Sequence, residues 1–316
     1  MDKKVSVLII TYNHEKYIAQ AVESALQQEV NFQDEIVIGE DCSTDHTREI
    51  LKELSRAHPE RIRLLLRENK GDGLPGKSNF LETLKACQGR YVALLDGDDY
   101  WTDVRKLQKQ VDFLDTNPDF AVCFHNVKVS YEDQRQEPWN YCPTDQKEIS
   151  TVEDLLDRNF IATSSTVFRR DYLGELPSWY SKLKIGDWPL HILNAQNGKV
   201  GYIDEVMSVY RIHHAGYWSK QDTIQNTLDE IAMFKALLKY LPKRYKGQIK
   251  AHLASLFYRL AGEYGSRGDK GRAVINVFKC IGASPRNRTI PFRHALHISF
   301  PRVISRVKSL MGGKTS

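Results

Sequence analysis

The first hundred residues alternate short apolar runs with longer stretches whose apolar positions recur every three or four residues. Val5–Ile10 is rich in β-branched residues and nearly unbroken, as expected for a parallel strand covered on both faces. It stops at Thr11-Tyr12-Asn13-His14. Ile18, Ala21, Val22, Ala25 and Leu26 then follow helical spacing. Ile36–Ile38 predicts a second strand. The turn Gly39–Asp45 leads into a helix carrying Ile50, Leu51 and Leu54, with Thr44 or Asp45 available as its cap. A third strand, Ile62–Leu66, passes through Gly71–Gly76 into a helix bearing Phe80, Leu81 and Leu84, which Gly89 closes. Tyr91–Leu95 is long enough for a buried fourth strand and too short for a helix. This alternation with short connections predicts a doubly wound, mostly parallel α/β sheet.

Beyond it, Thr102 reads as the cap of an amphipathic helix through Val104, Leu107, Val111 and Leu114. Phe120–Val129 reads as a strand, Tyr131–Ile149 as a polar loop, and Ala162–Phe168 as another strand. Ile185–Leu190 opens a helix capped by Gly186 or Asp187, with Pro189 tolerated in the first turn. Val200–Ile203 and Met207–Ile212 suggest a closing hairpin before His213-His214. From about Ser219 the pattern is helical, and Ala251–Gly265 with Gly271–Ile281 predicts an αα-hairpin. We therefore divide the chain at 1–218 and 219–316.

Charge changes this picture more than composition does. The net charge of +5 hides 18 Lys+Arg against two acids over residues 235–316, so the preceding body is acidic and the tail basic. A basic tail on an acidic body fits an anionic surface, such as a membrane, better than a nucleic-acid partner for the whole chain. No apolar run approaches a membrane span, and Met1-Asp2-Lys3-Lys4 leads straight into a strand without a signal peptide. Five scattered cysteines lack metal-ligand spacing and read as reduced thiols. The expected location is cytoplasmic, peripheral to the membrane through the tail.

The candidate chemistry lies where strands end. In open α/β sheets ligands bind beyond the carboxyl ends of the strands, which brings Thr11–Asn13, Glu40–Asp45 and Asp96–Asp99 to one rim. Asp96-Gly97-Asp98-Asp99 places three carboxylates in four residues. Such a cluster repels itself unless a cation intervenes, and hard oxygen ligands suit Mg²⁺ or Mn²⁺. An acidic turn without metal is the plainer alternative.

Taken together, Val5–Asn13, Glu40–Asp45, Asp96–Asp99, Gly186-Asp187 and Tyr210–His213 resemble the family 2 glycosyltransferases of GT-A fold, over residues 4 to about 215. The resemblance implies a nucleoside-diphosphate sugar as donor, most often a UDP-sugar, and a glycan or lipid-linked oligosaccharide as acceptor. It implies that Tyr12 packs near the base, with Thr11, Asn13 and Asp96 also among the donor-binding residues, that Asp41 accepts from the uracil N–H, and that Asp98 and Asp99 hold ribose and diphosphate through the metal. Asp99 and His213 would hold Mn²⁺ or Mg²⁺, and Asp187 would be the general base of an inverting transfer. The second strand ends Glu40-Asp41 where the family usually has two aspartates. A sugar nucleotidyltransferase would want a glycine-rich loop after the first strand, which Thr11–Glu15 lacks. A non-catalytic adaptor derived from a transferase is the alternative from another class.

Each residue also has a structural reading. Asp41 could belong to a capping turn, Asp187 could be an N-cap, and His213 and His214 could be loop histidines. Lys77 and Arg67 could pair with diphosphate, but solvated surface charge is the simpler expectation. Trp101 and Trp188 could stack on a sugar or pack in the core. The predicted αα-hairpin resembles one degenerate tetratricopeptide unit. Farther on, Phe292, Leu296, Phe300, Val303, Ile304, Val307 and Leu310 recur among basic residues, with Pro301 expected to split them into two pieces.

Overall fold

The computed structural model describes residues 3–69, 74, 76–214, 216 and 221–283. The expected pieces at 292–310, and most of the turn at 71–76, lie outside them. The chain divides into two compact units, residues 1–219 and 220–316.

The first unit is built on one sheet. Strands β1 (Val5–Thr11), β2 (Asp34–Glu40), β3 (Ile62–Leu66) and β4 (Tyr91–Asp96) are mutually parallel in the order β3-β2-β1-β4. Helices α1 (Ile18–Leu26), α2 (Thr47–Ala57) and α3 (Lys77–Ala86) connect them. Because side chains alternate along a strand, Val5, Val7 and Ile9 share a face with Ile36, Ile38, Ala93 and Leu95. That face packs on Ile18, Val22 and Ala25 of α1 and Leu51 of α2. It also meets Leu107, Val111 and Leu114 of α4 (Lys106–Thr116). Each fully buried aliphatic of this size contributes ~1.5–3 kcal/mol, so Val111→Asp would break the layer. On the opposite face α3 lies so close that a Cβ on Gly39 would sit 2.1 Å from Thr83 Oγ1. Asn79 Nδ2 donates to the Gly39 carbonyl there at 2.8 Å. Helices on both faces make the sheet doubly wound, as the periodicity predicted.

The remaining strands depart from expectation. β5 (Tyr100–Trp101), too short to read from sequence, pairs antiparallel at the far edge. α4 begins at Lys106, not at Thr102. Thr102 N is held by the Met207 carbonyl, while Asp103 Oδ1 accepts from Arg105 N at 2.7 Å. β6 (Phe120–Tyr131) runs longer than predicted, and the polar loop after it contains β7 (Trp139–Asn140) and β8 (Ile149–Ser150). α5 (Val152–Asp157), with a capping box from Thr151 and Asp154, was not anticipated. The strand expected over Ala162–Phe168 shortens to β9 (Val167–Arg169), after a 3-10 turn at Thr163–Ser165. There Ser165 and Thr166 hydroxyls donate to the Ala162 carbonyl, the local competition that keeps such residues out of ladders. After α6 (Arg170–Leu173) and α7 (Asp187–Ala195), the predicted hairpin is one strand, β10 (Lys199–Ile212), parallel to β6. Asp204-Glu205, between the two segments expected to form the hairpin, forms a bulge, with register shifts around Val206. The sheet is therefore mixed and mostly parallel, β9 and β5 running against it.

The second unit is helical: α8 (Thr223–Tyr240), α9 (Lys246–Ser266) and α10 (Lys270–Ala283). α9 and α10 form the antiparallel pair predicted from periodicity, turned by Arg267-Gly268-Asp269, with Gly268 at φ +80°. Among the described residues no helix is long and apolar enough to cross a membrane.

Candidate active site

Register places the site. Thr11 of β1 lies opposite Glu40 of β2, and Ile10 lies opposite Asp96 of β4, so all three polar clusters meet at one end of the sheet. The chain bends sharply on leaving it. Asn13 and Cys42 take left-handed backbone conformations at φ 55° and 60°, unusual for residues with side chains. Asn13 Oδ1 accepts from Thr44 N at 2.8 Å, and Asn13 N donates to Ser43 Oγ at 2.9 Å. The first two rim turns are thus tied to each other. Tyr12 is 39% exposed on that edge.

Glu40 is fully buried against Arg48 and Ser43 N. The departure from a two-aspartate pattern therefore falls on a residue with a structural role. Asp41 is buried and does not cap α2; the cap position falls to His46, not to Thr44 or Asp45, and Asp45 Oδ1 accepts from Thr47 N at 3.0 Å just ahead of the helix. Asp41 Oδ1 instead accepts from Arg67 Nη1 at 2.8 Å, and Oδ2 from Gly76 N at 3.2 Å. Arg67 and Lys77 overturn the expectation of solvated charge. The Arg67 side chain is 10% exposed and Lys77 6%.

Asp98 is the centre of the acidic turn. Gly97 admits no side chain, since a Cβ would stand 2.7 Å from Thr11 Oγ1. Asp98 Oδ2 lies 3.0 Å from His213 Nε2 and 3.7 Å from His14 Nε2. His14 Nδ1 meets Thr11 Oγ1 at 3.2 Å, leaving Nε2 toward Asp98. Among the described residues, His14, Asp98 and His213 form a group whose ligand atoms all lie within 4.8 Å of one another. Two imidazoles and a carboxylate at that spacing fit a divalent ion. Burial lowers the His14 pKa against the pull of Asp98, which favours the neutral, ligating ring. Burial alone would raise Asp98, but the hydrogen bond from His213 and the charges of His14 and His213 take it below the ordinary carboxylate value. Burial, then Asp98 and Asp187, push Asp96 up to about 7.

Asp99, expected as a metal ligand, is 2% exposed and accepts from Arg211 N at 2.9 Å. Arg211 Nη1 also donates to the Asp98 carbonyl at 2.7 Å. These bonds fasten the end of β10, and with it His213, to the acidic turn. His214 is exposed, 3.8 Å from Glu132.

Asp187 is the first residue of α7. Gly186 holds the cap position without a side-chain bond, and Asp187 Oδ2 accepts from Asn159 Nδ2 at 2.9 Å. Lys77 stands beside it. Its Nζ is 3.4 Å from the Ile185 carbonyl and 4.4 Å from the Tyr180 ring. Burial lowers its pKa to about 8, opposed by Asp187. One turn along α7, His191 is fully buried, and among the described residues neither ring nitrogen has a hydrogen-bond partner. Trp101 and Trp188 pack inside, donating to Ser164 O at 2.9 Å and Leu155 O at 2.7 Å, so neither offers a face to a sugar. The sequence had missed His14, Arg211, Asn159 and His191. His14 had a signal in its place in the first rim turn, and Arg211 in its place within the Tyr210–His213 motif.

A doubly wound, mostly parallel sheet thus carries its polar turns and a His–Asp–His cluster at one rim. Residues 6–176 match the family described as Glycosyl transferase family 2, and the chain belongs to that family. It is 34% identical over 298 residues to an uncharacterised protein of Mycobacterium tuberculosis (strain ATCC 25618 / H37Rv), spanning 92% of this chain and 83% of that one. The putative teichuronic acid biosynthesis glycosyltransferase TuaG of Bacillus subtilis (strain 168) is 31% identical over 66% of this chain and 79% of its own. Among solved structures, the mannosyltransferase PcManGT from Pyrobaculum calidifontis, in complex with GDP-Man and Mn²⁺, shares the fold. Its TM-score is 0.58 at 16% identity, covering 99% of this chain and 89% of that one. S. aureus TarS 1-349 in complex with UDP-GlcNAc gives 0.57 at 16% identity, covering 90% and 92%.

Proposed function

We propose that the chain is an inverting, metal-dependent glycosyltransferase that moves a sugar from a UDP-sugar to a hydroxyl of a glycan or lipid-linked saccharide. The observation that carries this reading is the convergence of Asp41, the His14–Asp98–His213 group and Asp187 on one rim. Asp41, buried and fixed by Arg67 and Gly76 N, retains lone pairs for a uracil N–H. Thr11, Tyr12 and Asn13 border the base, and Asp96 lies on the ribose side. Asp98, His213 and His14 would hold Mn²⁺ or Mg²⁺, with Asp99 holding β10 behind them. When bound, that ion supplies Lewis-acid stabilisation to the leaving diphosphate. Asp187, oriented by Asn159, takes the proton of the acceptor hydroxyl as its oxygen bonds the anomeric carbon and the sugar–diphosphate bond breaks. One base and no enzyme nucleophile give inversion. A lipid-linked acceptor gives the basic tail, residues 235–316, its use: it holds the enzyme at the anionic cytoplasmic face of a membrane, where no nucleic acid is involved.

The test is UDP release from a panel of UDP-sugars with Mn²⁺, for the wild type and Asp187→Asn. The expected result is turnover of a UDP-sugar that EDTA abolishes. Asp187→Asn should cut kcat ~10²–10⁴-fold while UDP affinity and thermal stability stay near wild type. Full activity of Asp187→Asn, or no consumption of any UDP-sugar, refutes the proposal.

A further inference from the structure

Helix α10 is two-sided. Ala273, Asn276, Val277 and Cys280 are buried against the rest of its unit. At 3.6 residues per turn, Arg272, Ile275, Phe278 and Lys279 fall together on the other side. There Phe278 is 69% exposed and Ile275 52%, with Ile281 at 36% beside them. Arg272 and Lys279 are also exposed, and α10 carries no acid. The nearest is Asp269, 3.4 Å from Arg272 at the turn. An exposed phenylalanine and isoleucine bordered by cations, with Asp269 paired to Arg272 at the turn and no acid on the helix itself, are unusual on a surface that faces only water.

We propose that this face is the membrane contact of the C-terminal unit, Phe278 and Ile275 entering the headgroup–acyl boundary of an anionic bilayer while Arg272 and Lys279 meet lipid phosphates. Two properties favour lipid over a second copy. Three part-exposed side chains fall well short of the ~1,200–2,000 Å² that a stable protein interface buries, whereas an interfacial helix needs only a shallow apolar face with neighbouring cations. A two-fold contact would also set two copies of a region bearing 18 Lys+Arg and two acids against each other. An anionic surface attracts that charge. The inference rests on the membrane placement in the proposed function and names the residues that make it.

The experiment is co-sedimentation of the full-length protein with phosphatidylglycerol/phosphatidylcholine vesicles at low salt. Ile275→Ser/Phe278→Ser is compared with Ile149→Ser, which alters a residue 50% exposed in the other unit. We expect wild type and Ile149→Ser to bind and to be released by salt. The double variant should lose at least tenfold in partitioning, and Phe278→Leu should restore most of it with Ile275 intact. UDP release in solution and helical circular dichroism should be unchanged in all. Wild-type binding by the double variant overturns the inference, and if deletion of residues 285–316 then abolishes binding, the membrane placement survives without this face. Failure of the wild type to bind anionic vesicles overturns both. A lipid-free dimer that the double variant converts to monomer assigns the face to a second copy and overturns the inference.

Discussion

Lys77 offers the sharpest physical test of the site, because its burial opposes its charge. The residue is 6% exposed, and its amine has one carbonyl at 3.4 Å and the Tyr180 ring face. A pKa lowered from 10.5 to about 8 corresponds to a penalty of ~3 kcal/mol on the charged form. Below pH 8 folded and unfolded chains both carry the charge, and the whole penalty burdens the fold. Between about 8 and 10.5 the folded chain sheds its proton first, so stability rises with pH; above that range the penalty is gone. Lys77→Met fills similar volume without the charge and forfeits a cation–π contact of ~1 kcal/mol. The variant should therefore be more stable than wild type by ~2 kcal/mol at pH 7, with the difference shrinking toward pH 10. Urea denaturation of both proteins at the two pH values, followed by tryptophan fluorescence, measures this. Turnover should move the other way, since a cation beside Asp187 is lost, an exchange common where function burdens stability. A variant less stable at pH 7, or an advantage that persists undiminished at pH 10, would show that the buried amine is not paying this penalty.

Other outcomes follow from the same geometry. Asp98→Asn should weaken Mn²⁺ binding at least tenfold by electron paramagnetic resonance, and His14→Ala should do so to a smaller degree; unchanged Mn²⁺ affinity in both would remove the His–Asp–His group from consideration. Asp41→Asn should erase a preference for UDP over GDP and CDP in calorimetry, and if the wild type binds all three equally, Asp41 does not read the base. Gly97→Ala should lower stability by ~1–3 kcal/mol through overpacking against Thr11 and His14, so a melting temperature equal to wild type would mean the turn relaxes freely.

Much of the molecule was legible in the chain. The short unbroken apolar runs and the 3.6-residue periods of residues 5–95 predicted four parallel strands and their helices, because a strand covered on both faces is apolar nearly throughout. The rim then follows from the rule that ligands sit beyond the strand ends, and with it the convergence of Thr11, Asp41 and Asp98. The αα-hairpin was equally visible, for its contacts are local. Only tertiary structure decided the rest. β5, β7 and β8 are two-residue pairings without any period of their own. β10 is one strand because β6 runs beside it and absorbs Asp204-Glu205 as a bulge. Lys77 and Arg67 looked like surface charge because charge is usually solvated. Their burial depends on α7 and α3 closing over them, and no local pattern records that. His14 and His213 stand 199 positions apart in the chain, and His191 shows no sign in its own neighbourhood that both ring nitrogens are buried without a hydrogen bond among the described residues. Such pairings are set by the packing of distant segments, which a sequence specifies as a whole and not at any one residue.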